Sequence, residues 1–247
     1  MHALIVLNNL GMFAYFDGRW DDALSLYLQA RACGERSGRP ADVAFVDCNV
    51  GEILSDQGRL EEAEEHLRRA RRVWSATREP QAVAFIDMLL GRLAVRRGDI
   101  QVGLPMLERS TRTLRAFNMH AYADFGRGLI AEAQALVGDP RRGLEVARAE
   151  LEGADRERPL LQRSVGIALA RLGERDAASR ELSVALACAR ERRAHYEIAA
   201  TIDALAAVRG ADPELLRERD EILDALKIVR LPAAAPAVVG AGAPAGA

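Results

Sequence analysis

Apolar and polar positions along this chain follow the period of an α-helix, and the same pattern returns after about 40 residues. After Trp20, apolar residues stand at Ala23, Tyr27 and Ala30, in steps of four and three. Such steps place the three side chains on one stripe of a helix and leave polar residues on the opposite side. The pattern therefore predicts an amphipathic helix that packs this stripe against a neighbouring helix.

Two series of small residues mark the same period. Gly11, Gly51 and Gly91 are each 40 residues apart, and Ala131 continues this first series. The second series stands seven residues later and consists of Gly18, Gly58, Gly98, Gly138 and, after a shorter step, Gly173. We expect the first small residue to face a partner helix, and the second glycine to end the first helix in a left-handed conformation. Each copy is thus predicted to be a helix, a tight turn and a second helix.

The helix boundaries follow from these series. Helices are predicted at residues 2–16, 20–36, 42–56, 60–77, 81–97, 100–117, 120–137, 141–152, 156–172, 175–193, 196–208 and 213–228. One repeat domain, residues 1–230, would contain repeats at about 2–40, 41–80, 81–119, 120–154 and 155–194, with a degenerate capping repeat at 195–230. Pro40 and Pro80 are expected in the loops before new helices. Residues 231–247, which are rich in Ala, Pro and Gly and carry no charge, are predicted to be disordered.

The spacing of these positions resembles that of the tetratricopeptide repeat family. In the first copy the small residue, the turn glycine, the alanine, the large apolar residue and the last alanine are Gly11, Gly18, Ala23, Tyr27 and Ala30. The resemblance covers about residues 2–193 and implies an all-α fold, a right-handed α-solenoid of about five to six antiparallel helix pairs. The period of 40 departs from the usual length of about 34 residues, and Ala14 stands where the family has an aromatic residue. HEAT-type repeats share the longer period but would not predict the small-residue pattern.

Charge and motifs argue against several classes of chemistry. The chain has 34 basic and 36 acidic residues, so no global field draws it to nucleic acid or to anionic lipid. Its single lysine, Lys227, lies in no phosphate-binding loop and in no kinase-type motif. The histidines are far apart in sequence and match no metal-ligand spacing; they are His2, His66, His120 and His195. We therefore predict no catalytic residue, no metal and no cofactor.

Cysteine usage and the first residues predict a cytoplasmic protein. Cys33, Cys48 and Cys188 are too few and too scattered for a disulfide framework. The first ten residues are apolar, but they lack the basic region and the cleavage site of a signal peptide and are too short to span a membrane. No membrane partner is predicted.

The family resemblance also implies a binding groove. In this family the first helix of each pair lines a concave groove, and an asparagine two residues before the first glycine holds a bound peptide backbone; Asn9 and Asn49 stand at that position. Their alternative role is a hydrogen bond to a neighbouring helix. The other predicted groove residues are Asn8, Met12, Glu52, Ser55, Met88, Arg92, Arg96, Glu132 and Arg163. This mixed and weakly basic lining predicts an extended or helical ligand with some acidic residues.

The first helix differs from the last in the polarity of its surface. Residues 3–7 are apolar all the way round, and we expect a partner subunit or further repeats upstream to cover them. The function predicted from these features is a non-catalytic scaffold that binds a peptide or protein segment in the groove. Two alternatives stay open. The segments NNLG, GRW and ILDALKIVRLP are similar to C-terminal regions of large bacterial nucleotide cyclases and signalling ATPases, which would make the chain a regulatory or sensor module; the other alternative is a nucleic-acid-binding helical repeat.

Overall fold

The computed structural model describes residues 2–155, 157–210 and 212–233, and in these ranges the chain is all-α, without a strand. The helices found there are α1 (His2–Phe16), α2 (Trp20–Arg36), α3 (Pro40–Asp56), α4 (Leu60–Ala76), α5 (Pro80–Arg96), α6 (Ile100–Ala116), α7 (His120–Leu136), α8 (Pro140–Leu151), α9 (Arg158–Arg171), α10 (Arg175–Glu191), α11 (His195–Arg209) and α12 (Pro213–Leu226). The predicted all-α fold class is confirmed. Most of the predicted disordered tail, from residue 234 onward, lies outside the described residues.

Every predicted helix is present, and its ends lie within about two residues of the predicted ones. The prediction for Pro40 and Pro80 was wrong, because they are the first residues of α3 and α5 and not loop residues. Proline is favoured at the first helical position, since the N–H that it lacks has no partner inside the helix at that point. Proline therefore marks these helix starts more accurately than the first apolar residue does.

Left-handed glycines end the first helix of most pairs, as the second glycine series predicts. Positive φ angles of 75°, 80°, 88° and 85° occur at Gly18, Gly58, Gly98 and Gly173. At the first of these turns the Arg19 N–H donates to the Ala14 carbonyl over 2.8 Å, across five residues. This long-range bond is characteristic of a helix end that is closed by a left-handed residue.

Gly138 is the exception, and the prediction for it was wrong. It is not among the described residues with a positive φ angle. The turn is closed instead by a side chain, because Gln134 Oε1 accepts from the Asp139 N–H over 2.8 Å. Arg171 of α9 donates to the Gly138 carbonyl over 2.9 Å and stabilises the same turn from outside.

The first glycine series forms the contact between the two helices of a pair. A Cβ atom at Gly11 would lie 2.7 Å from the ring of Tyr27, and one at Gly51 would lie 2.8 Å from Leu67. Real Cβ atoms do not approach other side chains so closely, so only glycine allows this helix spacing. The predicted role of these residues in the helix–helix contact is confirmed.

The chain divides into two compact units, residues 1–126 with 220–232 and residues 127–219 with 233–247. Within the first unit each of the helices from α1 to α6 packs against the next, and within the second unit α8, α9, α10 and α11 pack in the same order. The three-residue turns between most of these helices reverse the chain, so neighbours run antiparallel. The antiparallel helix pairs of the prediction are therefore present in each unit. The repeat boundaries and the hand of the superhelix stay predictions.

Candidate functional site

The two asparagines that the sequence singles out have different surroundings. Asn9 is exposed on α1, whereas Asn49 of α3 is half-buried. The Asn49 amide donates through Nδ2 to Asn8 Oδ1 over 2.9 Å, and Asn8 is buried. Asn49 thus takes the second of its two proposed roles, a hydrogen bond between the first helices of neighbouring pairs.

Arginines of α5 form the corresponding link between α3 and α5. Arg96 donates to Ser55 Oγ over 2.7 Å and to Asp56 Oδ1 over 2.6 Å. Arg92 Nη1 lies 3.0 Å from the same Asp56 oxygen, and its guanidinium stands over the ring of Phe125. All three charged side chains are buried. The carboxylate of Asp56 therefore neutralises much of the basic charge expected here.

A third link, inside the second unit, joins α7, α9 and α11. Arg163 donates through Nη2 to Glu132 Oε1 and through Nε to Glu197 Oε2, over 2.8 Å in each case. Burial by itself would lower the pKa of the Arg163 guanidinium, but the charges of Glu197 and Glu132 raise it above its ordinary value. Arg163 therefore carries its charge inside the protein at any accessible pH.

The structure corrects the predicted groove lining. Buried side chains, which offer no contact to a ligand, belong to Asn8, Ser55, Met88, Arg92, Arg96, Glu132 and Arg163. The physical reason is that polar groups on adjoining first helices satisfy one another once they leave water. Of the remaining predicted residues, Asn9 and Met12 are exposed, and Asn49 and Glu52 are half-buried.

The acidic partners in these links were missed from the sequence, although a signal was present. Asp56 and Arg96 stand at equivalent positions of consecutive repeats, 40 residues apart. Glu197 follows Arg163 by 34 residues, close to the shorter repeat length in that part of the chain. Opposite charges at equivalent repeat positions therefore indicate a bond between repeats.

Asp47 forms a further polar cluster that the sequence did not indicate. Its side chain is buried, and Oδ1 accepts from Arg31 Nε over 3.0 Å and lies 2.7 Å from His66 Nδ1. Arg69 of α4 reaches the same oxygen over 3.4 Å. The cluster joins α2, α3 and α4. Among the described residues, no group of His, Cys, Asp and Glu is arranged to hold a metal ion.

The exposed face of α1 is the most apolar surface of the first unit. Large apolar side chains that are 38–59% exposed follow one another along this helix at Ile5, Val6, Leu10, Met12, Phe13 and Phe16. The predicted apolar surface of residues 3–7 therefore extends to the end of α1. One period later, Val46 and Ile53 of α3 are 0% and 1% exposed. The face of a first helix that is covered in the second repeat is thus open in the first. We call these six side chains the α1 face.

An open cleft of about 610 Å³ lies between α4, α5 and α6. Its walls include the indole of Trp74, the guanidinium groups of Arg78 and Arg109 and the carboxylate of Asp87. Arg71 already pairs with Asp87 over 2.5 Å. None of the predicted groove residues lines this cleft, and the side chains around it show no arrangement of nucleophile and base.

In the part of the chain that the structure describes, every helix falls short of the length and apolarity that crossing a membrane requires. Comparison with family models gives two matches, both described as Tetratricopeptide repeat, over residues 4–37 and residues 42–116. These residues contain α1 to α6, where the two glycine series have the contacts given above. A search of curated proteins found no significant match.

Proposed function

Because this chain is a tetratricopeptide repeat protein, we propose that it is a non-catalytic module that binds a helical segment of another protein. Repeats of this family generally mediate protein–protein interaction. The scattered cysteines support the cytoplasm as its location.

The α1 face is the observation that carries this proposal. It places six large apolar side chains in water along one helix, and α1 has no acidic or basic residue in its first or last turn. Soluble proteins seldom expose a continuous apolar patch unless something binds it. An uncharged face of this kind fits the apolar stripe of an amphipathic helix.

The repeat register indicates how the incoming helix would lie. Val46 and Ile53 are buried because the preceding helix pair packs against them, and Val6 and Phe13 are their equivalents on α1. A helix that covers Val6 and Phe13 would therefore take the place of a preceding repeat. It belongs either to a partner or to further repeats of a longer polypeptide.

Asn9 gives this surface a polar specificity element. It stands one period before Asn49, whose amide donates to Asn8 on the preceding first helix. We propose that Asn9 makes the same kind of bond to the incoming helix, with Met12 and Glu52 at the edge of the contact. An acidic ligand is no longer favoured, because carboxylates already neutralise Arg92, Arg96 and Arg163.

Selection of helical peptides from a displayed library tests this function. Peptides that bind the chain should lose at least about tenfold in affinity, by calorimetry, against the double variant Val6→Asp with Phe13→Asp. The reason is that each lost apolar contact contributes roughly 1.5–3 kcal/mol when fully buried. Val184→Asp in α10 is the matched control, since Val184 is exposed to a similar degree. Helices that bind the double variant as tightly as the control would refute the proposed site.

A further inference from the structure

The chain after α12 lies against the turn between α3 and α4. The Gln57 side chain donates through Nε2 to the Leu226 carbonyl over 2.9 Å, although the two residues are 169 positions apart in sequence. The Val229 N–H donates to the backbone carbonyl of Gln57 over 2.8 Å. Arg59 donates to Gln57 Oε1 over 3.3 Å and thereby orients the amide nitrogen toward Leu226. We call residues 226–230 the strap, and Gln57 with Gly58 the turn site.

Alternating burial shows that the strap is bound as an extended segment. Leu226 and Ile228 are buried, whereas Lys227 and Val229 between and after them are exposed, Val229 by 71%. A period of two is the signature of an extended chain that lies on a surface. The turn site thus holds the strap through two backbone groups and two apolar side chains.

The turn site differs from the equivalent turns of the other repeats. A Cβ atom at Gly58 would lie 2.6 Å from the Arg230 carbonyl oxygen, whereas nothing lies within 4 Å of such an atom at Gly98 or Gly173. All three glycines are left-handed, with φ angles of 80°, 88° and 85°. Glycine is therefore needed at position 58 for two reasons, the turn and the passage of the strap.

We propose that the turn site is a second binding site, independent of the α1 face, for extended protein segments in which two apolar residues are separated by one residue. The strap is its internal occupant. Backbone recognition by Gln57 accepts any sequence, and the two buried positions select apolar side chains, as in strand-addition binding. A segment of the same chemistry from another protein binds at this site only when the strap has left it.

The single lysine allows a direct measurement of strap release. Endoprotease Lys-C can cut this chain only after Lys227, inside the strap. A protease needs an extended, undocked segment, so the docked strap should resist cleavage in the full-length protein. Gly58→Ala should speed cleavage at least tenfold, because the new methyl group collides with Arg230. Gly98→Ala, which imposes the same left-handed strain in open space, should leave the rate unchanged. Equal rates for the two variants would show that the strap is not held by this site.

A second pair of variants tests binding in trans. Ile228→Ser removes a buried side chain of the strap and leaves the turn site intact, whereas Val229→Ser changes an exposed neighbour. Cleavage rates of both are normalised to those of matching synthetic peptides, and circular dichroism checks that each variant melts like the unmodified chain. We expect Ile228→Ser to release the strap and Val229→Ser to keep it docked.

The trans ligand is a fluorescent peptide with the sequence of residues 224–232. It should bind the Ile228→Ser chain at least tenfold more tightly than the unmodified chain, where the tethered strap competes at high effective concentration. Adding Gly58→Ala to Ile228→Ser should abolish this binding, and adding Gly98→Ala should not. A released strap without any peptide binding would overturn the proposal that the turn site recognises other proteins.

Discussion

At the residue scale, small side chains set the distance between the helices of a pair. Gly51 is the clearest case, since a Cβ atom there would meet Leu67 at 2.8 Å and the Ala63 carbonyl at 3.3 Å. The sequence predicts this contact from spacing alone, because the residues that face a partner helix repeat with the period of the structure. It does not predict which side chain fills the gap.

Replacing Gly51 by leucine should destabilise the protein by about 1–3 kcal/mol, the usual cost of forcing a larger side chain into a packed contact. Urea unfolding followed by circular dichroism measures the change. Gly153→Leu is the control, because nothing lies within 4 Å of a Cβ atom at Gly153. A midpoint unaffected by the Gly51 change would contradict the repeat register.

Burial raises the pKa of the Cys48 thiol, so the thiolate that reacts with alkylating agents does not form in the folded protein at pH 8. We expect iodoacetamide at that pH to label the half-buried Cys33 and Cys188 and to spare Cys48 until denaturant is added. Because the folded state holds this proton and the unfolded state releases it near pH 9, the contribution to stability is lost as the pH rises further. Peptide mapping by mass spectrometry gives the labelling rates; equal rates for all three thiols would contradict the buried position of Cys48.

At the scale of elements, polar bonds between first helices hold neighbouring repeats in register. The sequence identified many of these residues, including Ser55, Arg96 and Arg163, but predicted that they contact a ligand. Whether a polar side chain on such a helix faces a ligand or its neighbour depends on the group opposite it, here Asp56 or Glu197. That pairing requires the three-dimensional stack, which residue spacing alone does not give.

The Arg163 link should be the most sensitive of these bonds. Arg163→Met leaves Glu132 and Glu197 without their cation inside the second unit, and breaking a buried ion pair in this way costs about 3–5 kcal/mol. Replacing Glu132 by Leu and Glu197 by Gln in the same chain should restore much of that stability, since no unpaired charge remains. Denaturant midpoints of the single and triple variants measure both effects. A triple variant that is weaker than the single one would show that the charges themselves stabilise the unit.

At the scale of the whole molecule, the sequence predicted the fold closely and the sites only in part. Twelve helix boundaries follow from a 40-residue period, because helix phase and turn glycines are local properties. The strap was not predicted, since its contact joins Gln57 and Leu226, which share no pattern. The open α1 face was foreseen in residues 3–7, where the apolar residues leave no polar side, but its extension to Phe16 required the neighbours of the helix.

Side-chain footprinting of the bound complex tests the central claim, that a helix covers the α1 face. Hydroxyl radicals oxidise exposed phenylalanine, and Phe13 and Phe117 are both about half exposed in this chain, by 59% and 48%. Adding a saturating helical peptide selected for binding should cut the oxidation rate of Phe13 severalfold and leave that of Phe117 unchanged. If Phe13 is oxidised as fast with the bound peptide as without it, the partner binds elsewhere and the account of this protein is wrong.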